Sequence, residues 1–252
     1  NWASEKAAHS VATCCALASL LGCLLIFKAQ GSLFYGAYSV EQYSQLFKLM
    51  IAGGLSLFLL FTPAFKAIDR AIRPEYFMFL LLSVLGLMML VSSVELMAIF
   101  ISLELSSFAL YLLVPMRDER TGVRVQMEAG MKYILFGVMA TGFMLYGMSL
   151  LFGLTGTTYL KGILAFLASG SLQPTVVVAV VMVLAGFLYK LAVFPMHFWV
   201  PDIYQGASNE TTAFIATLPK FGAVALLIRF LSVPTGHAAF LSELLAVLAL
   251  CS

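Results

Sequence analysis

Charge is what this sequence has least of. Only 10% of its 252 residues are Asp, Glu, Lys or Arg, against about 25% in a typical soluble domain. So little charge cannot cover a water-facing surface. A net charge of +2 argues against a nucleic-acid partner, whose phosphates call for a dense basic face. Neither a GxGxxG turn nor a P-loop occurs, so there is no nucleotide fingerprint. The three histidines, His9, His197 and His237, stand isolated, whereas a membrane di-haem site needs them paired across facing helices. The four cysteines, Cys14, Cys15, Cys23 and Cys251, form no CxxC pair and lie in apolar stretches. They are expected to be buried as small hydrophobes.

What is present is apolar length. Hydrophobic residues make up 62% of the chain, including 21 Phe and 13 Met. They form continuous runs of about twenty, the length of a spanning helix, rather than the short alternating segments of a membrane barrel. Spanning segments are expected near 10–27, 47–62, 76–94, 95–115, 125–153, 175–196, 211–231 and 238–251. The apolar stretch from Tyr76 to Pro115 would measure ~60 Å as one helix, twice the hydrocarbon thickness. A tight turn near Ser92–Glu95 is therefore expected. The fold class is all-α, a polytopic transmembrane helix bundle forming a single transmembrane domain over 1–252. Asn1 to Ser10 carries Glu5, Lys6 and His9 and does not resemble a cleavable signal. The first residue is not Met and the last segment breaks off at Ser252, so a longer protein is expected.

Orientation follows the excess of basic residues in short loops. Lys66, Arg70 and Arg73 follow the second segment and Arg117, Arg120 and Arg124 follow the fourth, which places both loops on one face. Lys28, Lys48 and Lys161 lie on the other. Six against three makes the first face cytoplasmic or its organellar equivalent, and Asp202 to Glu210 falls on that side too.

Five ionisable residues lie inside the apolar segments, clear of both ends or nearly so: Glu95, Glu104, Lys132, Lys190 and Lys220. A charge at a helix centre costs about 2.5–3.5 kcal/mol on insertion scales, so such residues face a bundle interior or a wet cavity and mark ion or proton paths. Glu104 falls near the midplane among Ser102, Ser106 and Ser107, whose hydroxyls permit close helix contact. Glu95 lies by the turn, as a helix-end residue. Lys132 enters its segment after Glu128, and an interaction between Glu104 and Lys132 across neighbouring helices is expected. Lys190 follows a long apolar run and precedes Pro195 by five residues. Proline removes a hydrogen-bond donor and clashes with the preceding turn, so the helix is expected to break around Pro195. Lys220 follows Pro219 midway along its segment. Burial disfavours the charged form of carboxylate and ammonium alike, and a nearby opposite charge restores it. A Glu–Lys pair of changing separation can therefore capture and release a proton, and a row of lysines can pass it along the membrane plane.

These residues carry a family likeness. The run from Tyr189 to Ala207, with Phe194-Pro195-Met196-His197-Phe198-Trp199-Val200-Pro201-Asp202-Ile203-Tyr204-Gln205-Gly206 at its heart, resembles the broken-helix signature of the antiporter-like subunit N family of complex I-type NADH:quinone oxidoreductases. Ser102-Leu103-Glu104-Leu105 is similar to that family's glutamate helix, and Met131-Lys132-Tyr133 to its next lysine helix. Leu154-Thr155-Gly156-Thr157-Thr158 resembles the following loop, and Ala216-Thr217-Leu218-Pro219-Lys220 a further lysine helix. The resemblance implies about fourteen helices in two inverted five-helix repeats, each with one broken helix; this chain would hold the first repeat. It also implies that Glu104 and Lys132 form a coupling pair, that Lys190 is the central proton carrier and that Lys220 relays onward; His197, read from its position alone, is expected to line the broken helix as a member of the proton path. The sequence departs from the family at Ser208-Asn209-Glu210-Thr211, where Asn209 is expected to cap the next helix, and at Pro219, which is expected to kink it.

The function implied is proton translocation coupled to quinone reduction, with no redox chemistry in this chain. No cofactor or metal is expected within it; NAD, FMN, iron–sulfur clusters and quinone are implied in partner subunits. Its partners would be other membrane subunits, lipid, water and protons, in a bacterial or archaeal cell membrane or an organellar inner or thylakoid membrane. A subunit of a cation/proton antiporter of the Mrp type, or a purely architectural membrane subunit, are the competing readings.

Overall fold

The computed structural model of the chain describes residues 2–62, 65–118, 124–169 and 173–231, with 246, 247, 249, 250 and 252. Most of the expected segment 238–251 lies outside the described residues, as do Arg120, His237 and Cys251. Seven helices among them are long and apolar enough to cross a membrane, and the chain is an integral membrane protein. These are α1 (Trp2–Leu25), α2 (Gln42–Phe61), α3 (Arg73–Leu90), α4 (Leu96–Leu113), α5 (Val125–Thr155), α7 (Pro174–Leu191) and α9 (Asn209–Leu231). Two shorter helices, α6 (Leu160–Ser169) and α8 (Val200–Gly206), and a hairpin of β1 (Gly31–Leu33) with β2 (Tyr38–Val40) complete the described fold.

The expected turn in the Tyr76–Pro115 stretch is present. Residues 91–95 separate α3 from α4, and Glu95 caps α4 by accepting from the Ala98 amide at 2.8 Å. A carboxylate at that position satisfies an orphan amide and the positive end of the helix dipole. This turn is also the hub of one membrane face. Its backbone pairs with the β-hairpin through Ser39 N–H to Ser92 O and Val94 N–H to Ala37 O. It pairs with the α5–α6 connection through Leu96 N–H to Thr158 O and Leu160 N–H to Val94 O. On the opposite face the two basic loops meet, where Ile68 bridges Arg117 and Asp118 N–H donates to Ala67 O. Both loops therefore share one face, as the segment count implied.

Without water to drive helices together in lipid, association depends on close packing and interhelical hydrogen bonds. Gly86 of α3 presses against the Ser102–Ser106 backbone of α4, where a Cβ would lie 2.6 Å from the Ser106 nitrogen. Ser83 and Ser106 share a hydrogen bond at 3.0 Å beside it. Two apolar clusters result. One, toward the basic face, contains Tyr76, Tyr111, Tyr133, Trp199 and Phe214; the other holds Leu103, Met144, Val183, Phe187 and Leu226.

Two expectations are corrected. Cys14 and Cys15 are exposed and Cys23 is half-buried, because α1 turns only a narrow stripe inward, including Ala12 and Ala16. The cap of α9 is Ser208, whose hydroxyl accepts from the Thr211 amide at 3.1 Å, one residue before the expected Asn209. Pro219 lies inside α9, which runs from Asn209 to Leu231.

Candidate functional site

The break after Lys190 organises the site. Helix α7 ends at Leu191, three residues earlier than Phe194, and Ala192 takes a left-handed conformation (φ 59°) as its C-cap. Its amide donates back to Leu188 and Tyr189. Residues 193–199 follow without helix until α8 begins at Val200. Trp199 is 2% exposed. It stacks on Tyr133 at 5.1 Å and its Nε1 donates at 3.1 Å to the Tyr189 carbonyl, a second donor there beside the Ala192 amide. Irregular backbone at this depth is tolerated where protein satisfies it.

Lys190 occupies the last turn of α7 with its Nζ buried and without a hydrogen-bond partner among the described residues. The Tyr111 ring lies under the ammonium at 5.8 Å, a cation–π arrangement. Among the described residues, the charge that acts on it is Glu104 of α4. Glu104 itself accepts a hydrogen bond from Thr141 of α5 at 2.8 Å. Lys190 also lines a cavity of about 10 Å³ with Leu87, Leu90, Leu103, Ser106, Pro219 and Ala223, where the two apolar clusters meet. That volume suits roughly one water.

Lys132 does not sit with Glu104. Its Nζ pairs at 2.8 Å with Glu128, one turn back on α5, and at 2.8 Å with Asp202 of α8. Thr141, the α5 residue that does reach Glu104, lies nine residues beyond Lys132, hence ~13 Å along the helix. The cause is depth: Lys132 stays close enough to the basic face to meet carboxylates at its edge, and 37% of its side chain remains exposed. Asp202 is a site residue that sequence reasoning missed, although it lay within the broken-helix motif. Its only local signal was a position in the first turn of α8, where a carboxylate also favours the helix dipole.

Lys220 and His197 come together. They line a cavity of about 300 Å³ with Ala192, Phe194, Val200, Pro201, Tyr204 and Ser252. The Tyr204 hydroxyl is buried without a hydrogen-bond partner among the described residues, and burial pushes its phenol above the ordinary value, so it stays protonated. Pro219 and Lys220, adjacent in α9, thus wall two neighbouring cavities, one at Lys190 and one at the broken connection. No His, Cys, Asp or Glu cluster of metal-binding size occurs among the described residues.

The chain is similar to known proteins in sequence and in fold. NADH-quinone oxidoreductase subunit N 2 of Opitutus terrae is 49% identical over 243 residues, which cover 96% of this chain and 50% of that one. A chain of respiratory complex I from Thermus thermophilus with bound aureothin matches with a TM-score of 0.78 at 30% identity, over 97% of this chain and 50% of that one. A chain of the Mrp complex from Dietzia sp. DQ12-45-1b matches at 0.75 and 22% identity, over 91% and 44% of the two, a likeness of fold alone. The chain spans about half the length of the curated relatives it matches. Family resemblance at the sequence level extends over residues 93–252, which include Glu104, Lys132, Lys190, His197 and Lys220. The chain belongs to the NADH:quinone oxidoreductase/Mrp antiporter transmembrane family.

Proposed function

We propose that this chain is part of an antiporter-like, proton-carrying membrane subunit of a complex I-type NADH:quinone oxidoreductase. Lys190 is the proton carrier, Glu104 its counter-charge, and Lys220 with His197 the continuation of the path. The observation that carries the reading is the buried Lys190 ammonium at the helix break, without a hydrogen-bond partner among the described residues, with Glu104 as the charge acting on it. While the carboxylate is close, the ammonium keeps its proton. Drawing Glu104 away would leave an uncompensated charge in an apolar layer and favour release toward the cavity of Lys220 and His197. The chain itself performs no redox step; NAD, FMN, iron–sulfur clusters and quinone belong to partner subunits. Together with other membrane subunits it would form one transmembrane domain of the membrane arm, carrying one broken-helix repeat.

The identity to subunit N relatives favours this reading over an Mrp-type antiporter, for which the likeness is of fold. Lys190→Arg in the full-length subunit separates a carrier from an architectural residue. Guanidinium keeps its proton where an ammonium can lose it, so the assembled complex is expected to lose most of its proton pumping per electron. A wild-type proton-to-electron ratio in that variant would make Lys190 structural and defeat the proposal.

A further inference from the structure

Helix α8 does not continue α7, since residues 192–199 intervene, so its position depends on contacts with other elements. Three come from the α4–α5 side. Arg117 donates from one guanidinium nitrogen to the carbonyls of Gln205, Gly206 and Ala207, at 2.8, 3.3 and 3.3 Å. These are the acceptors that a helix C-terminus leaves unsatisfied, and a cation there also meets the negative end of the dipole. Gly206 lies against Ala129 of α5 with no room for a Cβ. In the first turn of α8, Asp202 takes the Lys132 ammonium.

The other side of α8, through Val200, Pro201 and Tyr204, walls the cavity of Lys220 and His197. Any shift of α8 relative to α5 therefore reshapes that cavity. Lys132 is shared between Glu128 on its own helix and Asp202 across the gap. It can keep the first partner while releasing the second, so opening the contact strands no bare ammonium. Asp202, 46% exposed as a side chain, can be solvated when released. The contact is thus placed to open and close at small cost, while Arg117 and Gly206 keep the far end of α8 in place.

We infer that Asp202 and Lys132 are a positioning pair, whose contact holds the start of α8 against α5 and sets the cavity wall facing Lys220. Lys132 then acts through Asp202 and carries no proton of its own. The consequence for pumping rests on the proton-path reading above; the contact and its effect on α8 do not.

The test uses the assembled full-length complex with Lys132→Ala, Asp202→Ala and Lys132→Arg, beside Lys190→Arg as reference. Two quantities are measured: amide hydrogen exchange of residues 203–207 and the proton-to-electron ratio. Both alanine variants are expected to raise exchange severalfold and to lower the ratio, because α8 loses its hold. Lys132→Arg keeps a cation facing Asp202 and cannot release a proton, so it is expected to match wild type in both. Loss of pumping in Lys132→Arg equal to that in Lys132→Ala would make Lys132 a carrier and overturn the inference. Unchanged exchange in both alanine variants would overturn it too. Normal pumping by Lys190→Arg would instead defeat the proton-path reading, and exchange alone would then judge the pair.

Discussion

Lys132 and Lys190 are the same residue type in two apolar helices, and their surroundings give them different chemistry. Lys132 has two carboxylates in contact and a wet side chain. Lys190 has an aromatic face, a more distant carboxylate and no hydrogen bond among the described residues. Sequence alone located both, because a charge in an apolar run is conspicuous at any position. It paired Lys132 with Glu104, whereas the contacts of Lys132 are with Glu128 and Asp202, because facing relationships between helices are set by packing that spacing within one helix does not report. Thr141 shows the same limit: one hydroxyl among several along α5, it is the one that reaches Glu104 at 2.8 Å. A hydrogen bond to a charged group contributes about 1.5–3 kcal/mol. Thr141→Val keeps the shape and removes the donor, so Glu104 should lose part of its anchoring. Reconstituted complex carrying Thr141→Val is expected to assemble normally and pump severalfold more slowly. A wild-type pumping rate in proteoliposomes would show that the bond does not hold the carboxylate in its working position.

At the scale of elements, length and punctuation were readable and approach distances were not. The seven spans emerged from runs of apolar residues, and the α3–α4 turn from a length that no single membrane helix can have. The break after α7 was readable from Pro195. Its onset at Ala192 was not, because a left-handed alanine has no compositional signal. Equally hidden were β1 and β2, three residues each, and the amphipathic α6, which lies between segments rather than across the membrane. Helix spacing depends on particular small residues. A Cβ on Gly147 of α5 would fall 2.7 Å from the Ala179 oxygen and 2.8 Å from the Val183 nitrogen of α7. These are backbone atoms that cannot rotate away, so Gly147→Ala must push α7 outward and Lys190 with it. Overpacking of this kind costs about 1–3 kcal/mol, and a lower thermal midpoint of the solubilised protein should result. Gly142, on the same helix, has nothing within 4 Å of its Cβ position. Gly142→Ala should therefore be neutral or slightly stabilising, through helix propensity worth up to about 1 kcal/mol. Equal loss in both variants would trace the effect to α5 itself rather than to its contact with α7.

For the whole molecule, the two faces are defined by contacts, while their assignment to membrane sides depends on charge. The hairpin, the α3–α4 turn and the α5–α6 connection are joined on one face. The α2–α3 loop, Arg117 and the end of α8 meet on the other, and the basic residues gather on this second face. Basic residues in short loops are retained on the cytoplasmic side during insertion, with an organellar equivalent. Tyr35, at the fully exposed tip of the hairpin, and Arg70, exposed in the α2–α3 loop, report the two faces without disturbing the bundle. In a chain whose native cysteines are replaced by alanine, Arg70→Cys should react with a membrane-impermeant maleimide only from the cytoplasmic side. Tyr35→Cys should react only from the opposite side. Removing Arg70 leaves five basic residues against three by the sequence count, so the bias should survive the probe. The reverse labelling pattern would invert the assignment while leaving the fold intact. It would then place Lys132, Asp202 and the outer end of α8 on the non-cytoplasmic side, and the entry of protons toward Lys220 would have to be sought from there.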